Sequence, residues 1–260
     1  TRTKPFVLGC LNVDRNERDK TFREMLDGLS KIKFRIVRHK GVEDYELIDM
    51  LGRGGFGEVF KGRQASDGKL VAVKHLFAGR QASRFIKEAQ LLQKYNHPDI
   101  VHYIDFIEVE GLGEDKEFFL IMEHLAGMPG SALNNRIRKA KTGIEAAEVI
   151  ELFIHYLSAL KFLHENPRPI IHRDIKPGNL YAPPGQPQKA KIFDLGVARD
   201  VSGTLTTGMI PGTLDYMAPE FAKPGPDRGS SQSDIYALGV SMYESLTGRK
   251  PHPRLPTSDQ

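Results

Sequence analysis

Two periodicities divide the chain. From Tyr45 to Ile107 apolar and polar residues mostly alternate, in "ELIDMLGRGG", "GEVFKGRQ" and "LVAVKHL", and glycine-containing turns such as "SDGK" separate the runs. A period of two predicts β-strands. One segment breaks it: in "SRFIKEAQLLQKY", Phe85, Ala89 and Leu92 share one face at helical spacing. After "FFLIMEHLAG" the period lengthens. "TGIEAAEVIELFIHYLSALKFLHEN" predicts a long amphipathic helix with Val149, Leu152, Phe153, Tyr156, Leu160 and Leu163 on its apolar stripe. Thr142 and Glu145 have capping-box spacing at its start. A further helix, "SDIYALGVSMYESLTG", is expected to end at Gly248. Upstream, a helix around Glu17 to Leu29 precedes "KIKFRIVRHK", whose Ile32, Phe34 and Ile36 alternate with charges as in the solvated face of a strand. The class is α+β, with a strand-rich part, a joint near Glu123 to Gly127 and a helical part.

Composition narrows the function classes. A chain of 260 residues with 40% hydrophobic and 27% charged positions can build one large domain or two lobes. The net charge of +4 is too small to argue for nucleic acid. Cys10 is the only cysteine, so no internal disulfide and no cysteine-held zinc is expected, and a reducing, cytoplasmic compartment fits. No apolar run is long enough to span a bilayer. The chain begins at Thr1, which suggests an excerpt, so the expected location is the cytoplasm, either alone or as the cytoplasmic domain of a larger protein.

The chemistry concentrates in four stretches. "LGRGGFGEV" sets Gly52, Gly54 and Gly57 at G-x-G-x-x-G spacing. Such glycines let backbone N–H groups approach a phosphate chain. A dinucleotide fold would continue into a helix, whereas "GEVFKG" continues as strand, so the loop reads as a hairpin lid. Lys74 in "VAVK" lies in an apolar strand, where an unpaired ammonium is costly to bury. Glu88 projects from the apolar face of the next helix and is its expected partner. "IIHRDIKPGN" gathers His172, Arg173, Asp174, Lys176 and Asn179 in one loop, and "KIFDLG" adds Asp194. A proton acceptor, a phosphate neutraliser and ligands for a metal ion are what phosphoryl transfer from a nucleotide needs.

In these ordered motifs, over about Tyr45 to Pro251, the chain resembles the eukaryotic-type protein kinase family, Ser/Thr kinases in particular. The resemblance implies a two-lobed kinase-like fold. Its divisions would be an N-terminal extension over 1–44, an N-lobe over 45–122, a hinge over 123–127 and a helical C-lobe over 128–260 that is incomplete after the helix starting near Asp234. It implies ATP and Mg2+ as cofactors, with the glycine loop over the phosphates, Lys74 on the α- and β-phosphates and Glu88 positioning it. Asp174 would accept the substrate hydroxyl proton, Lys176 would neutralise the transferred phosphate, and Asn179 and Asp194 would bind magnesium. Met122 would be the gatekeeper, with backbone groups of Glu123 and Leu125 facing adenine and Leu51, Val59, Ala72 and Tyr181 lining the purine pocket. Tyr181 is bulkier than the aliphatic residue common there. "GTLDYMAPE" resembles the substrate-binding end of the activation segment, with Thr213 reaching toward Asp174 and Lys176.

Further implications concern regulation and departures from the pattern. Arg173 would pair with a phosphate on the activation loop, for which Thr206 or Thr207, with Thr204 nearby, is the expected autophosphorylation site. Partners would be protein substrates bearing Ser or Thr, and a second copy during autophosphorylation; no nucleic acid and no membrane segment is expected. "SDIYALG" carries Tyr236 where animal kinases usually have tryptophan, a feature closer to the bacterial branch. Asp234 would be buried at this helix start, capping N–H groups and holding the catalytic-loop backbone. Glu220 of "APE" is left without its usual arginine unless a longer parent protein supplies it. Leu195 replaces the usual phenylalanine and is expected to pack with Leu92, Tyr103 and His172. A scaffold without phosphotransfer would lack one of Lys74, Glu88, Asp174, Asn179 or Asp194, and all are present. Small-molecule phosphotransferases lack a segment like "GTLDYMAPE".

Overall fold

The computed structural model describes residues 35–36, 44–54, 57–76, 82–110, 116–195, 199–200, 214–222 and 230–251. The helix expected at Glu17 to Leu29 lies outside these residues. The alternating runs become β2 (Tyr45–Gly54), β3 (Gly57–Gln64), β4 (Leu70–Leu76), β5 (Tyr103–Glu110) and β6 (Lys116–Glu123), joined by a short β1 (Arg35–Ile36). These strands form one sheet in the order β1-β2-β3-β4-β6-β5. The four helices among the described residues are α1 (Ala82–Lys94), α2 (Leu133–Ala140), α3 (Ala146–His164) and α4 (Ser231–Thr247). Strands with one intervening helix up to Glu123, and mainly helices from Leu133 onward, give the α+β class expected.

The chain divides into two compact units, one of Thr1–Ile48 with Gly62–Lys69, the other of Asp49–Lys61 with Leu70–Gln260. In the first, Ile36 pairs with Tyr45. Its "SDGK" turn closes through Gln64 N–H to the Lys69 carbonyl at 2.9 Å, with Gly68 at φ 73°. The second unit contains every described candidate site residue. Antiparallel pairing of β4 with β6 sets Ala72 opposite Met122 and Lys74 opposite Leu120. The α1 stripe is buried as expected at Phe85, Ala89 and Leu92, as is the whole α3 stripe, to which Ala159 is added.

The capping box expected at Thr142 does not form. Thr142 Oγ1 donates to the Ala140 carbonyl at 3.2 Å, and α3 begins one turn later, where the Glu145 carboxylate accepts from Glu148 N–H at 3.0 Å. The cause is tertiary. Ile144 is buried and its N–H donates to the Ser245 carbonyl of α4 at 2.7 Å, which holds the chain extended past Thr142. Ile144 and Val149, both buried, then stand at the two positions of a hydrophobic staple around Glu145. Gly143 makes this approach feasible: its φ is +107°, and a Cβ there would lie 2.1 Å from the Leu246 carbonyl oxygen. Gly143→Ala is therefore expected to destabilise the fold by at least about 2 kcal/mol. Gly239, exposed within α4 at a point where a Cβ would meet nothing within 4 Å, is the control: Gly239→Ala should stabilise by about 0.5–1 kcal/mol. Urea denaturation of both variants checks the opposite signs.

Helix α4 starts with a reciprocal box between Ser230 and Ser233 and ends, as expected, at Gly248, with φ 68°. Short antiparallel pairs frame the loops between α3 and α4. Strand β7 (Ile170–Ile171) pairs with β10 (Arg199–Asp200), and β8 (Leu180–Tyr181) pairs with β9 (Lys191–Ile192). No helix among the described residues is long and apolar enough to cross a membrane.

Candidate active site

The loop between β7 and β8 is too short and too rich in proline and glycine for a regular element, and it tightens into a turn at Pro177–Asn179. This brings Asp174, Lys176 and Asn179 together. Lys176 Nζ donates to both Asp174 carboxylate oxygens, at 2.9 and 2.8 Å. Asn179 Nδ2 donates to Asp174 Oδ2 at 2.9 Å and to its carbonyl at 2.8 Å. The backbone is held from below by buried Asp234, which accepts from His172 N–H at 2.8 Å and Arg173 N–H at 2.9 Å. Asp234 thus anchors the loop as expected, whereas its own helix is capped by Ser230. Sequence reasoning missed His164, whose Nε2 bonds Asp234 Oδ2 at 2.8 Å. Its one local trace is a polar residue at the end of the α3 apolar stripe.

A second group forms around Lys74. Its Nζ contacts both Glu88 oxygens at 2.8 Å and Asp194 Oδ1 at 3.0 Å. Glu88 is 3% exposed, so the inward carboxylate and the inward ammonium inferred from the sequence do pair. Burial alone would push the Lys74 ammonium down, but the Asp194 and Glu88 charges reverse this and hold it well above its ordinary value. Burial likewise would raise Asp194, yet Lys74 brings it down to about 2. Both groups are ionised at neutral pH. Asp194 and Arg173 also carry positive φ, 66° and 65°, the sparsely populated left-handed region that functional sites often hold. Leu195 is fully buried in the core cluster that contains Leu92, with Tyr103 packed at its margin. His172 is fully buried as well.

The expected nucleotide-lining residues lie on β2, β3, β4, β6 and β8 and in the segment just after β6. Met122 and Leu125 are buried; Leu51, Val59, Ala72 and Glu123 are half-buried. Gly52 is exposed in β2, and Gly54 ends that strand. Gly57 folds so closely onto β4 that a Cβ would sit 2.0 Å from the His75 carbonyl oxygen. The Glu123 N–H is engaged by the His102 carbonyl at 3.0 Å. Its carboxylate accepts from His102 N–H at 2.7 Å and pairs with Lys191 at 2.8 Å, a tether the sequence reading did not anticipate. Tyr181 is buried and its extra bulk is put to use: the hydroxyl donates to the Ala126 carbonyl at 2.9 Å, just past Glu123. Tyr181→Phe is expected to cost about 1 kcal/mol in chemical denaturation, with the ring itself retained.

Two expectations fall on the segment after Asp194. Thr204, Thr206, Thr207 and Thr213 lie outside the described residues. Glu220, expected to lack a partner within this chain, has one: Ser233 Oγ donates to Glu220 Oε1 at 2.9 Å. The helix-capping serine at the start of α4 is near enough to serve both ends, which no sequence pattern encodes.

Comparison with known proteins agrees with this geometry. The protein kinase domain model matches residues 45–260. The chain is 34% identical over 223 residues to serine/threonine-protein kinase pkn3 of Myxococcus xanthus, covering 80% of this chain and 38% of that protein. It is 34% identical over 215 residues to serine/threonine-protein kinase PknA of Mycobacterium tuberculosis, covering 80% and 47%. Identity to the proline-rich receptor-like protein kinase PERK13 of Arabidopsis thaliana is 34% over 215 residues, covering 80% and 28%. The chain thus spans less than half the length of these relatives, and two of the three are bacterial. A loop that pairs Asp174 with Lys176 and Asn179, a Lys74–Glu88–Asp194 cluster and a match over residues 45–260 lead to one assignment: the chain belongs to the protein kinase family.

Proposed function

We propose that the chain is an ATP- and magnesium-dependent protein serine/threonine kinase. It moves the γ-phosphate of ATP to Ser or Thr hydroxyls of protein substrates and phosphorylates its own activation segment. Protein kinases use ATP and Mg2+ in general. The observation that carries the reading is Asp174, a buried carboxylate bonded by both Lys176 and Asn179. In this reading Asp174 orients the acceptor hydroxyl and takes its proton, Lys176 neutralises the phosphate in transit, and Lys74, aimed by Glu88, holds the α- and β-phosphates. Thr213, by its place in "GTLDYMAPE", belongs to the acceptor side. Leu51, Val59, Ala72, Met122, Leu125 and Tyr181 surround the base, with Gly52, Gly54 and Gly57 over the phosphates.

Magnesium fits the donor set. The Asn179 amide nitrogen is committed to Asp174, so its carbonyl oxygen is what it can offer a cation. Asp194 stays ionised while giving Oδ1 to Lys74. Magnesium takes few protein ligands and otherwise binds substrate phosphates and water, which suits these two oxygen donors. Asn179 and Asp194 would hold the ion, which would supply neutralisation of the charge that develops on the transferred phosphate.

The test is transfer of radiolabelled phosphate from ATP to a panel of generic protein acceptors, comparing the chain with Asp174→Asn. Labelling by the unaltered chain alone is the expected result. Equal labelling by both, or none by either, would remove the kinase reading.

A further inference from the structure

Tyr216, in the turn Leu214–Tyr216, lines a cavity of about 20 Å3 together with Arg173, Asp174 and Ile175. The turn therefore packs beside the loop that carries Asp174. Two carboxylates stand there, Asp215 on the turn and Glu244 on α4. Both are already engaged from within the chain. The Tyr216 hydroxyl donates to Glu244 Oε2 at 2.7 Å. Burial, then the bond to Glu244, holds that phenol far above its ordinary value, so it remains a donor at physiological pH. Lys250 Nζ pairs with Asp215 and lies 5.0 Å from the Tyr216 ring centroid. The Lys250 and Asp215 side chains are 28% and 26% exposed, which puts the pair at a rim that a peptide can reach.

We propose that Lys250 sets acceptor selectivity. Its ammonium holds, within the chain, the place against Asp215 that a basic residue flanking the acceptor Ser or Thr would take. Such a residue meets a satisfied carboxylate and a like charge, so the favoured substrates are those without a basic side chain at this subsite. The proposal rests on the reading of Asp174 as the group that receives the acceptor hydroxyl.

Serine peptides in which each flanking position in turn is Ala, Arg or Glu, phosphorylated by the full chain, test it through the ratio of kcat/KM for Arg over Ala. In the unaltered chain the ratio is expected to be at or below unity at every position. In Lys250→Ala it should rise about fivefold at one or more positions, as expected for an exposed ion pair. Lys250→Gln, which keeps the aliphatic cover over Tyr216, should show the same rise, and adding Asp215→Asn should abolish it. An unchanged ratio in both Lys250 variants, or an Arg preference already present in the unaltered chain, overturns the proposal. Fluorescence anisotropy with the same peptides reads the subsite without chemistry. Tighter Arg-peptide binding by the Lys250 variants with no phosphotransfer supports the subsite while removing the kinase reading, and equal binding overturns the subsite itself.

Discussion

Asp174→Asn is expected to lower kcat by about two to four orders of magnitude while KM for ATP stays within about threefold. The two side chains have nearly the same shape, and the anchors of the loop are elsewhere. Asp234 still accepts from His172 and Arg173 N–H, and Asn179 still bonds the residue-174 carbonyl. Lys176 keeps one oxygen acceptor. What disappears is the charge and the basicity of a residue that the loop buries to 6% exposure. Rate that depends on proton removal and hydroxyl alignment then falls, while phosphate contacts made by Lys74 remain. Single-turnover labelling separates the chemical step from binding, and a thermal melt within a few degrees of the unaltered chain would exclude unfolding as the cause. A turnover retained to within about threefold would mean that Asp174 is not the acceptor-side base.

Much of this site is legible in the sequence because its members break local rules. Lys74 sits where a strand should be apolar and Glu88 where a helix stripe should be, and two misplaced opposite charges imply each other. The α1 and α3 stripes were equally plain, since burial on one face forces a regular period. What sequence could not reveal are bonds between positions far apart with no periodic signature. Asp234 to His164, Lys191 to Glu123, and Ser233 to Glu220 each join residues that only the finished fold makes neighbours. The misplaced cap of α3 has the same origin. Local spacing favoured Thr142, but the Ile144 contact to α4 outweighs a single capping bond worth about 1 kcal/mol. Leu195 shows the converse: it is fully buried in the apolar core beside Leu92, a place for which leucine supplies apolar volume.

Lys74→Met should cost both activity and stability, and the two can be separated. Losing the ammonium removes preorganised charge stabilisation, expected to lower phosphotransfer by about 10²–10³-fold. It also strands Glu88, 3% exposed, beside Asp194 with no shared cation. Breaking a buried pair on one side costs about 3 kcal/mol or more, whereas replacing both members with apolar groups is often close to neutral. Lys74→Met with Glu88→Met should therefore recover most of the melting temperature and none of the activity. The pH dependence supplies an independent sign. In the unaltered chain the Asp194 value is depressed to about 2, so its stabilising contribution is complete above the ordinary carboxylate range and fades as pH falls toward 2. Lys74, raised above its ordinary value, contributes fully at neutral pH and loses its contribution only as pH rises through the strongly alkaline range. Without Lys74, Asp194 loses the charge that holds its carboxyl lowest, and its value moves up toward the ordinary carboxylate range. Acidification from about pH 5 toward 2 should then cost the unaltered chain more stability than it costs Lys74→Met. If urea unfolding across that range gave the two proteins parallel profiles, Lys74 would not be the charge that keeps Asp194 ionised.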